Sequence, residues 1–125
     1  MTRVLLVDDH PVVRYGMRRA FEDAGEEIVG EANDGLEAMT LAAELRPDVV
    51  LMDLSMPVLD GVEATRAITA AGDGAVLVLS MHDGAEHVAP ALKAGAKGYL
   101  VKGSGLGDLV TAIGRVARGE AFMDR

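Results

Sequence analysis

Short apolar runs alternate along the chain with longer segments whose apolar residues lie three or four positions apart. The runs have strand length, are rich in Val, Leu and Ile, and lie at 4–7, 28–32, 49–52, 76–79 and 98–101. The segments of helical period lie at 11–24, 35–45, 61–71 and 106–116, with a less regular one around residue 90. Five strand–helix units of this kind predict an α/β domain with a mainly parallel sheet, whose strands are covered by helices on both faces.

The helical segments also predict which residues face the core. In the first helix, Val13, Met17 and Phe21 fall on one face, and in the second helix Leu36 and Met39 do so. The opposite face of the first helix carries three arginines, at 14, 18 and 19, and is expected to be solvated. The helices are therefore predicted to be amphipathic, with one face of each packed on the sheet.

Pro90 lies inside the fourth helical segment, which runs from about residue 84 to residue 94. Proline has no backbone N–H, and its ring clashes with the carbonyl four residues earlier, here that of Glu86. We therefore expect regular helix to begin near Val88 and residues 83–87 to be irregular.

Composition and charge exclude several classes of function. The 125 residues are 50% hydrophobic, which is enough for one folded domain. The absence of cysteine excludes disulfides, thiolate nucleophiles and zinc–thiolate sites. A net charge of −8 argues against nucleic-acid binding by this chain itself. No apolar run approaches the ~18 residues of a membrane span, and no signal-peptide pattern is present, so we expect a cytoplasmic protein without membrane contact.

Reactive side chains follow four of the five predicted strands. Asp8 and Asp9 follow the first strand, Asp53 the third, Ser80 the fourth and Lys102 the fifth. Ligands of parallel sheets bind beyond the carboxyl ends of the strands, so these side chains are expected to meet at one edge. Two carboxylates about 5 Å apart repel by roughly 3 kcal/mol at an effective dielectric of about 20, so three together favour a bound cation. Oxygen ligands select Mg²⁺ or Mn²⁺.

A divalent cation held by carboxylates beside a phosphate is typical of phosphoryl transfer. Asp53 stands alone at the end of a central strand and is the candidate phosphoryl acceptor, as in aspartyl-phosphate enzymes. Asp8 and Asp9 are the candidate metal ligands. Ser80 and Lys102 are the candidate partners of the phosphoryl oxygens.

Each of these residues also has a purely structural interpretation. Asp8 or Asp9 would cap the first helix, which begins with a proline, and Asp53 would be a turn residue. Lys102 would be an exposed surface residue. The histidines, including His10, are interpreted as surface residues.

Three other functions of α/β domains match the sequence less well. A cobalamin-binding motif would need glycine at the position of Val13, and it would leave Asp53 and Lys102 without a role. A phosphatase of the haloacid-dehalogenase type would need a second aspartate at the position of Ser55. A dinucleotide enzyme would need a glycine-rich turn after the first strand, which this sequence lacks.

Four motifs in order resemble the receiver domain of two-component response regulators, over essentially the full length of the chain. They are Val-Asp-Asp-His at 7–10, Met-Asp-Leu-Ser-Met-Pro-Val-Leu-Asp-Gly at 52–61, Leu-Ser at 79–80 and Gly-Tyr-Leu-Val-Lys at 98–102. The sequences Asp-Asp-His-Pro and Lys-Gly-Ser resemble the NarL/FixJ-type subfamily in particular. The resemblance implies a flavodoxin-like (βα)5 fold, doubly wound around a five-stranded parallel sheet in the order 2-1-3-4-5.

The resemblance also implies a phosphorylation-controlled signalling switch rather than an enzyme, although one that assists its own phosphotransfer and autodephosphorylation. A sensor histidine kinase donates the phosphoryl group of a phosphohistidine to Asp53. Mg²⁺, or Mn²⁺ in its place, is held by Asp9, by Asp8 through water, by Asp53 and by the backbone carbonyl of Ser55. Lys102 pairs with the acyl phosphate.

A second set of implied roles concerns the conformational switch. Ser80 moves toward the phosphate, and Tyr99 is its aromatic partner, which shifts inward. The side chain at Ser55 and His82 tune dephosphorylation. Phosphorylation is expected to permit a receiver homodimer.

The resemblance assigns residues 1–118 to the receiver domain and 119–125 to the start of an interdomain linker. Regulators of the NarL/FixJ type continue into a LuxR-type helix-turn-helix domain, so we expect this chain to be part of a longer regulator. DNA would then be contacted only through that missing domain. Gly103 follows Lys102 where many receivers have a proline after a cis bond, and we expect a trans bond because cis before glycine costs ~3 kcal/mol.

Overall fold

The computed structural model describes residues 2–54, 61–80, 85–101 and 105–123. Within these residues, six parallel strands form one sheet in the order β2-β1-β3-β4-β5-β6. The strands are β1 (Arg3–Val7), β2 (Glu27–Ala32), β3 (Val49–Asp53), β4 (Ala75–Ser80), β5 (Gly98–Val101) and β6 (Phe122–Met123). The predicted order of the first five strands, 2-1-3-4-5, is confirmed.

Five helices cover both faces of the sheet. They are α1 (Pro11–Asp23), α2 (Gly35–Leu45), α3 (Gly61–Ala71), α4 (Ala85–Lys93) and α5 (Leu106–Ala117). Successive residues of β3 pack into two separate cores, one on each face of the sheet, because side chains alternate across a strand. Val50 packs with Ala42 in the core under α2, α3 and α4, whereas Leu51 packs with Phe21 and Ile113 in the core under α1 and α5. Burial on both sides explains why the central strands are unbroken apolar runs.

The sheet has a sixth strand that the sequence did not predict, within the segment assigned to an interdomain linker. In β6, Phe122 lies opposite Gly98 and Met123 lies opposite Tyr99. A Cβ atom on Gly98 would lie 2.0 Å from the backbone oxygen of Phe122, so this close pairing requires glycine. The folded sheet therefore includes residues beyond position 118.

Two residues predicted to face the core are exposed instead. Val13 on α1 is 42% exposed and Leu36 on α2 is 58% exposed. The face of α1 that packs inward is formed by Met17 and Phe21, as predicted. The buried face of α2 consists of small residues, Gly35, Ala38 and Ala42. The helical period was read mainly from the large side chains, which were therefore placed in the core. A helix packed closely on a sheet can bury small side chains instead.

The expectation that Pro90 breaks the start of α4 is wrong for the part of that segment the structure describes. Helix α4 is continuous from Ala85 and contains Pro90. The proline removes only the hydrogen bond to the carbonyl of Glu86, and its own carbonyl still accepts from the N–H of Ala94 at 3.0 Å. Ala91 beside it is fully buried in the core, so packing keeps the helix in place.

Helix α2 is capped at its first turn by two hydrogen bonds that resemble a capping box. The side chain of Asp34 accepts a hydrogen bond from the N–H of Glu37 at 2.8 Å, and the Glu37 side chain accepts one from the N–H of Asn33 at 2.7 Å. Across the described ranges, no helix has the length and apolar character needed to cross a membrane.

Candidate functional site

Asp8 and Asp53 lie side by side at the carboxyl edge of the sheet. Val7 of β1 is paired with Met52 of β3, and the two aspartates are the next residue on each strand. Leu6 of β1 and its partner on β3 face the core under α1 and α5, so the alternation of side chains directs both carboxylates to that same side. Both aspartates are fully buried. The parallel register thus brings together two carboxylates that are 45 residues apart in sequence.

Asp9 and His10 complete a cluster with these two aspartates. Nδ1 of His10 lies 2.9 Å from Oδ1 of Asp9 and 3.1 Å from Oδ1 of Asp8. One ligand atom from each of Asp8, Asp9, His10 and Asp53 can be chosen so that all lie within 4.8 Å of one another. The prediction that His10 is a surface residue is confirmed, since 60% of its side chain is exposed, but its ring also contacts the acidic cluster.

The capping interpretation of the first two aspartates is wrong. The N-cap of α1 is His10, in an extended conformation with φ −106° and ψ 104°. The carboxylate of Asp8 instead accepts the backbone N–H of His10 at 2.8 Å, which forms a tight turn between β1 and α1. This turn directs both carboxylates toward the edge of the sheet rather than along the helix.

Arg14 is a second residue whose role sequence reasoning missed. Its guanidinium donates to the backbone carbonyl of Asp8 at 2.7 Å and to the carboxylate of Glu31 at 3.2 Å, and it also contacts the side-chain oxygen of Asn33. Arg18 donates to the other oxygen of Glu31 at 2.7 Å. Only 14% of the Arg14 side chain is exposed, so Arg14 and Arg18 join α1 to β2, whereas Arg19 is exposed as expected.

Ser80 and Tyr99 project from the same face of neighbouring strands. Ser80 ends β4, is 3% exposed and is paired with Val101 of β5. Tyr99 is paired with Val78, two residues before Ser80, and packs half-buried against the core under α2, α3 and α4. Residues two apart on a strand share a face. The serine and the tyrosine are thus diagonal neighbours on β4 and β5.

Gly61 begins α3 directly against the backbone at the end of β3. A Cβ atom at this position would lie 2.9 Å from the carbonyl oxygen of Asp53 and 3.1 Å from Cα of Leu54. The absence of a side chain therefore permits α3 to start immediately beside the buried aspartate.

Several predicted site residues lie outside the described residues. They are Ser55, His82, Lys102 and the bond between Lys102 and Gly103. The roles assigned to them stay predictions.

The donor atoms that the structure brings together fit a divalent cation. Asp8, Asp9 and Asp53 supply carboxylate oxygens, which suit Mg²⁺ and Mn²⁺. Two of the three carboxylates are fully buried, where like charges repel more strongly than in water and a cation offsets the repulsion. These three residues would hold such an ion, and among the described residues His10 adds a nitrogen atom to the cluster.

Comparisons with known proteins agree on one family. The family model described as the response regulator receiver domain matches residues 4–114. The transcriptional regulatory protein LiaR of Bacillus subtilis (strain 168) is 43% identical over 126 residues, which cover 99% of this chain and 60% of LiaR. The response regulator GacA of Pseudomonas aeruginosa is 42% identical over 125 residues, which cover 98% of this chain and 58% of GacA. The chain therefore spans little more than half the length of these relatives.

Solved structures give the same result. A two-component response regulator of the LuxR family from Aurantimonas sp. SI85-9A1 has a TM-score of 0.91 and 42% identity, covering 99% of this chain and 89% of that one. The signal receiver domain of the putative response regulator NarL from Mycobacterium tuberculosis has a TM-score of 0.91 and 39% identity, covering 95% of this chain and 98% of that one.

Proposed function

The chain belongs to the family of response regulator receiver domains, and from that premise we propose that Asp53 accepts a phosphoryl group from the phosphohistidine of a sensor histidine kinase. The observation that carries the assignment to Asp53 is its full burial beside Asp8 at the carboxyl edge of the sheet. Asp8, Asp9 and Asp53, with the backbone carbonyl of Ser55, bind Mg²⁺ or Mn²⁺. Receiver domains as a family act as signalling switches rather than as enzymes of metabolism.

In the transfer step, one carboxylate oxygen of Asp53 donates an electron pair to phosphorus. The P–O bond forms as the P–N bond of the phosphohistidine breaks, and the released imidazole nitrogen keeps the electron pair of that bond. A divalent cation held by Asp8, Asp9 and Asp53 would neutralise charge on the transferring phosphoryl oxygens. Lys102 pairs with one of these oxygens. Asp8 and Asp9 are assigned as ligands, and Asp53, the single aspartate of β3, is assigned as the nucleophile.

Ser80 and Tyr99 transmit the change of state. The hydroxyl of Ser80 donates to a phosphoryl oxygen, and Tyr99 shifts inward behind it. Their position on one face of β4 and β5 supports this role. The new charge-assisted contacts bias the equilibrium between two conformations by the few kcal/mol that a population shift of about tenfold to a hundredfold requires.

The wider role follows from the relatives. LiaR is described as a transcriptional regulatory protein, and this chain covers 60% of its length. We infer that the domain controls a DNA-binding helix-turn-helix domain elsewhere in the same regulator, in the cytoplasm, and that phosphorylation permits pairing of two receivers. Residues 119–125 lead toward that domain. The domain also speeds hydrolysis of its own acyl phosphate, at a rate set in part by Ser55 and His82.

Phosphorylation by a small-molecule donor tests the central proposal. The protein is incubated with Mg²⁺ and acetyl phosphate, and intact mass spectra are recorded. We expect an adduct of about 80 Da, the mass of one added phosphoryl group, that hydroxylamine removes. Asp53→Asn should abolish it, whereas Asp23→Asn, which changes an exposed acid at the end of α1, should not.

Two results would contradict the proposal. The first is an adduct of equal yield in Asp53→Asn, which would place the phosphoryl group on another residue. The second is the absence of any adduct in the wild type with both acetyl phosphate and phosphoramidate and with a phosphorylated histidine kinase. The decay of the wild-type adduct with and without EDTA then measures autodephosphorylation.

A further inference from the structure

His10 contributes the only nitrogen donor to the cluster of acidic residues within the described part of the chain. Its Nδ1 atom lies 2.9 Å from Oδ1 of Asp9 and 3.1 Å from Oδ1 of Asp8. The same atom belongs to the set of four ligand atoms, with Asp53, that lie within 4.8 Å of one another. The imidazole is thus placed at the metal-binding edge rather than on the outer surface of α1.

The contacts of Nδ1 of His10 with the two carboxylates are hydrogen-bond distances. They also agree with the spacing of ligands that share one ion, because two adjacent ligands, each about 2.1 Å from a metal and at right angles, are about 3.0 Å apart. An ion bound to Asp8 and Asp9 would replace the contacts of the ring nitrogen with the carboxylates, and Nδ1 would then face the ion as a ligand.

The backbone keeps the ring at this position. The N–H of His10 donates to the carboxylate of Asp8 at 2.8 Å. Pro11 follows, and a residue before proline is held in the extended region, where His10 is found with ψ 104°. The ring is 60% exposed, so the nitrogen is accessible to a hydrated ion that enters from solvent.

We propose that Nδ1 of His10 is a ligand of the bound metal, and that it makes the site prefer late first-row divalent ions such as Ni²⁺ over Mg²⁺. Imidazole nitrogen is a favoured ligand for these ions, whereas Mg²⁺ prefers oxygen and keeps several waters. The inference rests on the metal site described under the proposed function. It adds the prediction that the turn after β1 sets metal preference as well as metal affinity.

Calorimetric titrations with Mg²⁺ and with Ni²⁺ test the inference on the intact chain. They are made at one fixed pH for all variants. His10→Phe keeps an aromatic ring and removes the nitrogen. We expect it to weaken Ni²⁺ binding by at least about tenfold, as the loss of even an outer partner does in metal sites, and to change Mg²⁺ binding by less than about twofold. His87→Phe, in α4, is the matched control and should change neither affinity.

Pulsed EPR of the Mn²⁺-loaded protein gives a readout that does not depend on affinity. We expect a coupling between Mn²⁺ and a directly bound ¹⁴N nucleus in the wild type and in His87→Phe. The coupling should be absent in His10→Phe. A wild-type spectrum without this coupling would overturn the inference.

The outcomes separate this inference from the proposed metal site. Asp9→Asn and Asp53→Asn should weaken the binding of both Mg²⁺ and Ni²⁺. If they do so while His10→Phe changes the two affinities by the same factor, or changes neither, the metal site stands and the role of His10 is wrong. If neither aspartate variant affects either ion, the metal site itself is wrong.

Discussion

The guanidinium of Arg14 donates a 2.7 Å hydrogen bond to the backbone carbonyl of Asp8. The same side chain reaches Glu31 and Asn33 at the carboxyl end of β2. It therefore fixes the turn after β1 between α1 and the neighbouring strand. Because Asp8 and Asp9 belong to this turn, Arg14 positions two of the three candidate metal-binding carboxylates without touching the metal itself.

Replacing Arg14 should weaken metal binding more than it weakens the fold. Arg14→Gln removes the charge and the fork of donors that spans three partners. We expect Mg²⁺ affinity to fall by about tenfold, in the range known for residues that orient metal ligands. Calorimetric titration measures the affinity, and urea denaturation measures the free energy of unfolding.

Arg19→Gln is the matched control for that variant. Arg19 lies on the same helix but contacts only Tyr15, at 3.1 Å, among the hydrogen bonds found in the described chain. We expect it to leave Mg²⁺ affinity unchanged. Equal affinities in both variants would mean that Arg14 does not position the carboxylates.

Gly61 should be sensitive to the smallest added side chain. In Gly61→Ala the new Cβ atom would approach the carbonyl oxygen of Asp53 to 2.9 Å, so α3 or the end of β3 must shift. We expect the rate of phosphorylation by acetyl phosphate to fall and the unfolding midpoint in urea to decrease. Gly16→Ala is the control, because nothing lies within 4 Å of its added Cβ, and it should stabilise α1 by about 0.5–1 kcal/mol.

The fold and most of the candidate site followed from two simple regularities of the sequence. Apolar runs buried on both faces marked the strands, and the carboxyl-end rule placed Asp8, Asp53 and Ser80 at one edge. Both regularities depend on the order of strands and helices along the chain. The pattern of apolar and polar residue types strongly determines that order. The face of a helix that packs on the sheet depends on the exact rotation of the helix about its axis. Leu36 was therefore assigned to the core, although α2 buries alanines there.

The contributions of His10 and Arg14 were not predictable in the same way. The contacts of His10 depend on the conformation of the turn after β1, and those of Arg14 join α1 to distant parts of the chain. Helical periodicity alone says only that Arg14 shares a polar face. Two partners of Arg14 are distant in sequence, Glu31 on β2 and Asn33 just after it. The proline after His10 was a signal for the extended backbone at His10, since proline restricts the preceding residue.

Replacing Pro90 should stabilise the protein. Pro90→Ala restores the N–H that donates to the carbonyl of Glu86, and Pro90 is exposed, so little packing is lost. The gain is reduced by the greater flexibility of the unfolded chain, which costs ~0.4–1 kcal/mol. We expect a net increase of about 1 kcal/mol in the free energy of unfolding, measured in urea. A decrease would mean that the proline ring packs against another element.

The pairing of β6 with β5 should depend on Gly98. In Gly98→Ala the Cβ atom would lie 2.0 Å from the oxygen of Phe122, a contact with backbone that no rotamer relieves, so we expect β6 to detach. Hydrogen exchange of the Phe122 amide, which donates to the carbonyl of Lys97 at 3.3 Å, should then accelerate. We expect stability to fall by about 1–3 kcal/mol, the cost of an overpacked contact.

Gly107→Ala, with nothing within 4 Å of its Cβ, should leave that amide protected. Unchanged protection in Gly98→Ala would show that the close approach of the two strands is not required.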